Sequence, residues 1–184
     1  HWILSHPIAG SEVSGPEYGN KNLFSNKWCV IIKEKKQNLK KLNVIKKFWK
    51  NLGSKVVLMN GNDHDNIFSI TSHLPHLIAY NLIKTAQDSE KVQRKNLIQY
   101  SAGGLRDFSR IAASNEVMWR DIFFSNDNII KGINLFTKNL NIFKKIIQNK
   151  NNKKLLSRLS NSKKARRKIV QLKQDIAKPD FGRE

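Results

Sequence analysis

The chain of 184 residues has a single cysteine, Cys29. One thiol excludes a disulfide within the chain and fits a reducing, cytoplasmic setting. Its neighbours Trp28, Val30, Ile31 and Ile32 predict a buried strand rather than a nucleophile. Long apolar runs are missing too. No stretch reaches the roughly 18 to 20 apolar residues of a membrane-spanning helix, so no membrane partner is expected. Nine glycines are present, yet none takes the G-x-G-x-x-G spacing that cradles a dinucleotide pyrophosphate. Acidic residues are scarce: 14 Asp and Glu stand against 34 Lys and Arg, a net charge of +20. Such an excess brings nucleic acid into view. However, Lys outnumbers Arg 26 to 8 and Asn occurs 21 times. That bias matches an AT-rich coding sequence better than selection for phosphate recognition, where Arg is favoured. A nucleic-acid partner is therefore disfavoured, and no internal repeat is visible.

What is present divides into three stretches. Residues 1–60 predict strand, loop, strand, helix, strand. Trp2-Ile-Leu4 and Trp28-Cys-Val-Ile-Ile32 are short apolar runs, the second rich in β-branched residues. Leu39, Leu42, Ile45, Phe48, Trp49 and Leu52 form a helical stripe that Gly53 ends. Lys55-Val-Val-Leu-Met59 is a further strand. Residues 61–149 turn helical. Apolar positions recur from Ile67 to Ile83, with a kink expected at Pro75, and again from Ile129 to Ile147. Residues 88–104 predict a loop or short helix, and Ser114 is a plausible N-cap for the next helix. Residues 150–184 carry 12 Lys and Arg against three Asp and Glu and predict a basic, solvated helical tail. The fold class is mainly α: a helical domain preceded by the last β-α-β part of an α/β domain.

Several side chains have the right chemistry for a site. His6 lies just after the first predicted strand, next to Pro7, and imidazole titrates near neutral pH. His73 and His76 are three apart, hence on one helical face. They suit core positions, a pocket, or a metal whose third ligand is not evident, although His64 and Asp65 lie upstream. Arg106 and Arg110 are four apart and can grip carboxylates through their planar forks; ion pairs with Asp107 or Glu116 are the alternative. Gly103 and Gly104 precede them and would let the backbone approach a ligand. Trp119 suits a pocket wall and a core position equally.

Three of these pieces occur together: Ser5-His-Pro-Ile-Ala-Gly-Ser-Glu12, Thr71-Ser-His-Leu-Pro-His76, and the segment from Ser101 to Arg120. In order and spacing they resemble the prephenate/arogenate dehydrogenase family of tyrosine biosynthesis, over roughly residues 1–147. The resemblance implies a Rossmann-like origin for residues 1–60, with the nicotinamide-binding half largely upstream of His1. It implies helical substrate binding and homodimerisation in residues 61–149, prephenate or arogenate as substrate, and NAD or NADP as cofactor. It implies His6 as the catalytic base, and Arg110 and Arg106 as grips for the ring and side-chain carboxylates. His73, His76, Gly103, Trp119 and Glu12 would complete the substrate end, with no metal. The remaining alternatives are a non-catalytic dimerisation fragment and a basic helical nucleic-acid-binding protein.

Overall fold

The computed structural model describes residues 2–10 and 15–172. Glu12 and the end of the basic tail lie outside them. Three short strands open the fold: β1 (Ser5–Pro7), β2 (Trp28–Ile32) and β3 (Lys55–Met59). They form one sheet in the order β1-β2-β3, with β1 antiparallel and β3 parallel to β2. Helix α1 (Leu39–Asn51) makes the crossover between the parallel pair. Asn38 caps it, its side chain accepting from the Lys41 N–H, and Gly53 follows its end at φ +86°, where a side chain would be strained.

Alternation along β2 builds two cores. Cys29 and Ile31, both fully buried, face Leu42 of α1; Val30 and Ile32 face Phe68 on the other side. Each such burial contributes about 1.5–3 kcal/mol, so β2 is the anchor of the fold. His6 pairs directly with Val30. Directly opposed residues share a face, so His6 stands on the Val30 side, away from α1. The sequence placed His6 after the strand, but the structure places it inside. The Ile32 N–H donates to the Leu4 carbonyl at 3.0 Å and the Ile8 N–H to the Trp28 carbonyl at 2.7 Å, extending the pairing on both sides of it.

The second half is helical: α2 (Gly61–Phe68), a π turn (Ser69–His73), α3 (Leu74–Gln93), α4 (Gly103–Ser109), a 3-10 turn (Arg110–Ala113), α5 (Glu116–Ser125), α6 (Asn128–Gln148) and α7 (Asn152–Gln171). The expected kink at Pro75 takes the form of the π turn just before it. The Leu74 N–H reaches back five residues to the Ser69 carbonyl, and the wider turn accommodates the ring that an α-helix would reject. The cap of α5 is Asn115, not Ser114: the Asn115 side chain accepts from the Met118 N–H, while Ser114 ends the 3-10 turn. Helix α6 comes close to the π turn at buried Gly132, where an added Cβ would lie 3.0 Å from the Ile70 Cδ1. Helix α7 buries no residue. Among the described residues, no helix is long and apolar enough to cross a membrane.

Candidate active site

The Val30 face of the sheet and the α2–α3 segment enclose a cavity of about 690 Å³. Val30, Val57, Met59 and Trp28 supply its sheet wall, and Phe68, Pro75 and Ile111 its helical wall. Polar atoms enter at a few points only: His6, Thr71, Ser72 and His76. An apolar hollow with a few convergent polar groups is the usual form of a small-molecule site.

A histidine cluster extends from His6 on its lining. His6 Nδ1 lies 2.8 Å from His64 Nε2, and His64 Nδ1 lies 2.8 Å from Asp65 Oδ1. Phe68 touches both rings, with centroids 4.9 Å from His6 and 4.6 Å from His64. His6 keeps solvent access, but this packing strips enough water to push its pKa below the ordinary imidazole value; His64 and then His73 push the same way. His6 is thus held neutral, with a lone pair to offer, at neutral pH. Burial also lowers the pKa of His73, helped by His64 and His76 and opposed by Asp65.

His76 leads into a second group. Its ring stacks on Trp119 at 3.7 Å and 23°, and its Nδ1–H donates to the Ser72 carbonyl at 2.9 Å. Trp119 itself is buried, with Nε1 unpartnered among the described residues, and does not line the cavity. It acts as the wall behind His76. His73 sits edge-on to the same indole and also stays off the cavity lining. Buried Asn126 joins the two groups: its side-chain amide donates to the Asp65 carbonyl at 2.8 Å and lies 3.4 Å from His73 Nδ1.

The arginines occupy a neighbouring edge. Arg106 lies on α4 and Arg110 opens the 3-10 turn, its N–H donating to the Arg106 carbonyl. Both are exposed and neither lines the cavity, but Ile111, next to Arg110, does. The Tyr80 hydroxyl donates to the Ser114 carbonyl at 2.8 Å and ties this turn to α3. Gly103 opens α4; at Gly104 an added Cβ would meet nothing. No group of three metal-ligating side chains gathers among the described residues.

The prephenate dehydrogenase dimerization domain matches residues 60–161, and the prephenate dehydrogenase nucleotide-binding domain matches residues 1–58. The chain belongs to the prephenate dehydrogenase family. A cyclohexadienyl dehydrogenase of Zymomonas mobilis is 34% identical over 89% of this chain and 56% of its own length. The prephenate dehydrogenase of Bacillus subtilis is 33% identical over 70% of the chain and 34% of its own length. Among solved structures, prephenate dehydrogenase from Aquifex aeolicus in complex with hydroxyphenyl propionate and NAD+ superposes with a TM-score of 0.83. It is 37% identical, over 91% of this chain and 58% of that one. The chain therefore spans less than two thirds of each of these relatives. Their common fold accounts for the mixed sheet followed by helices. Of the residues that the family pattern pointed to, the structure places His6 and His76 on the cavity lining and His73, Gly103, Arg106, Arg110 and Trp119 off it. Sequence reasoning treated His64 and Asp65, which the structure sets beside His6, only as a partial metal set and passed over Asn126.

Proposed function

We propose that this chain forms the substrate-binding and dimerising part of an enzyme that oxidatively decarboxylates prephenate or arogenate, yielding 4-hydroxyphenylpyruvate or tyrosine, with NAD or NADP as hydride acceptor. The observation that carries it is His6, a histidine held neutral on an apolar cavity in a chain of this family. Among the described residues, the turns that follow the two parallel strands carry no glycine-rich dinucleotide cradle. The β2–α1 turn, residues 33–38, contains no glycine, and the β3–α2 junction offers only Gly61. The chemistry assigned to this chain is therefore that of the substrate half.

In that half, His6 accepts the proton of the ring hydroxyl as the carbinol carbon is oxidised. Arg110 holds the ring carboxylate until it leaves as CO2, and Arg106 holds the side-chain carboxylate. His76, braced by Trp119, supplies a polar contact at the cavity wall; His73 and Gly103 shape the surroundings. Rearomatisation of the ring drives the reaction, and the protein's task is alignment.

Hydroxyphenyl propionate, a phenol with one carboxylate, is the test ligand. Added to the chain, it is expected to shift the imidazole NMR signals of His6 and His76 saturably. NAD+ added alone is expected to show no tight binding by calorimetry. Shifts confined to α7, or tight NAD+ binding, would overturn the assignment. A second expectation concerns assembly. Phe124 (80% exposed), Ile130 (57%) and Ile147 (61%) leave α5 and α6 with apolar surface uncovered, in the segment that matches a dimerization domain. Sedimentation should show a dimer at micromolar concentration, and a stable monomer would count against it.

A further inference from the structure

Asn60 caps α2, its side chain accepting from the Asp63 N–H at 2.8 Å. This sets the first turn directly after β3 and brings His64 over His6. Phe68, 8% exposed, lies one turn later and wedges against both rings. From the far side, Asn126 holds the Asp65 backbone. The pair is thus braced by the sheet, α2 and the start of α6.

Hydrogen-bond inventory then decides which nitrogen carries which proton. A carboxylate only accepts, so His64 carries its proton on Nδ1, facing Asp65 Oδ1. In neutral His64 the other nitrogen, Nε2, is then an acceptor. His6 Nδ1, 2.8 Å away, must donate to it. His6 is left with its lone pair on Nε2, in a ring that lines the cavity. We propose that His64, backed by Asp65, is a positioning residue that fixes His6 in the tautomer whose Nε2 takes the substrate proton. The proposal rests on His6 being the proton acceptor.

The proton balance is simple. The bond between the substrate oxygen and its hydrogen breaks, and an N–H bond forms at His6 Nε2. Nδ1–H stays in place and donates to His64 throughout, so the positive charge arises beside a ready acceptor with a carboxylate behind it. No proton passes from His6 to His64. Among the described residues, His64 on α2 and His73 in the π turn are the titratable groups that act on His6.

Nitrogen-15 NMR of the imidazoles tests this in the chain itself. Wild type should show His6 protonated at Nδ1. His64→Leu removes the acceptor, and His6 should shift toward the Nε2–H form that unconstrained imidazole favours. His64→Gln puts an amide oxygen near the lost nitrogen and should restore the wild-type tautomer. Asp65→Ala, at an exposed residue, should give an intermediate result and serves even if the leucine variant fails to fold. With a complete nucleotide-binding domain attached, His64→Leu should lower kcat about 10- to 100-fold with KM little changed, and His64→Gln should recover most of it. An unchanged His6 tautomer in both His64→Leu and Asp65→Ala, or wild-type turnover by His64→Leu, overturns the proposal. Normal turnover by His6→Ala would instead overturn the role of His6 as base, while leaving the tautomer result standing.

Discussion

His6→Ala is expected to lower kcat by about two to four orders of magnitude when the chain carries a complete nucleotide-binding domain. A general base contributes by taking the proton as charge develops, so its loss falls on turnover. Hydroxyphenyl propionate should still bind, because the apolar walls and the arginines are intact. The pH profile carries further information. Loss of water around the ring, then His64 and His73, lower the His6 pKa. A base with a lowered pKa stays unprotonated further into acid. The acidic limb of kcat/KM should therefore have its midpoint below about 6.5, the ordinary imidazole value. Activity is present above that midpoint and lost as pH falls through it. An alanine variant with near-normal turnover from about pH 6 to 9 would remove His6 from the chemistry, since no ordinary imidazole base could be dispensable across its own titration range.

Arg110→Ala is expected to weaken substrate binding by about 2 to 3 kcal/mol. This is the low end for truncating one member of a desolvated charge pair, because Arg110 keeps solvent access before the ligand covers it. Arg110→Lys should also bind more weakly, since an ammonium does not reproduce two parallel hydrogen bonds to one carboxylate. Hydroxyphenyl propionate lacks a ring carboxylate and so provides the control. It should bind wild type and Arg110→Ala about equally in calorimetry. If the alanine variant loses as much affinity for this ligand as for the dicarboxylate, Arg110 does not hold the ring carboxylate. Arg106, one turn away, is then the next candidate.

How far the sequence disclosed this site depended on how local each interaction is. Strand β2 was legible from its β-branched run, and α1 from its stripe and its terminal glycine, because neighbours in sequence are neighbours in those elements. The π turn was not. Ile67, Phe68, Ile70, Leu74 and Leu77 keep a helical rhythm through it, and the extra residue is accommodated in the backbone rather than in the apolar pattern. Pro75 was the local signal, and it marked the irregularity without revealing its kind. His64 was hidden for a different reason. Its partner His6 lies 58 residues away, and only the pairing of β1 beside β2 with α2 rising from β3 brings them together. The adjacent His64-Asp65, early in a helix that follows a strand, was the available clue. Trp119 suited wall and core alike by residue type, and the structure places it in the core, buried behind His76 and off the cavity lining.

The π turn also sets regularity against reach. One residue advances an α-helix by about 100°. Deleting one residue between Ser69 and His73 would remove the wide turn and set the Pro75 ring, which has no N–H to donate, against the carbonyl four residues back. It would also swing His76 and Pro75 by about a quarter turn relative to His64 and Phe68. Since α6 meets this segment at Gly132, the surface it packs against would turn as well. Shortening this segment would thus cost the geometry of the cavity and also the room that Pro75 needs. Among homologous chains, length in these five residues should therefore be held more strictly than most of the side chains that fill them.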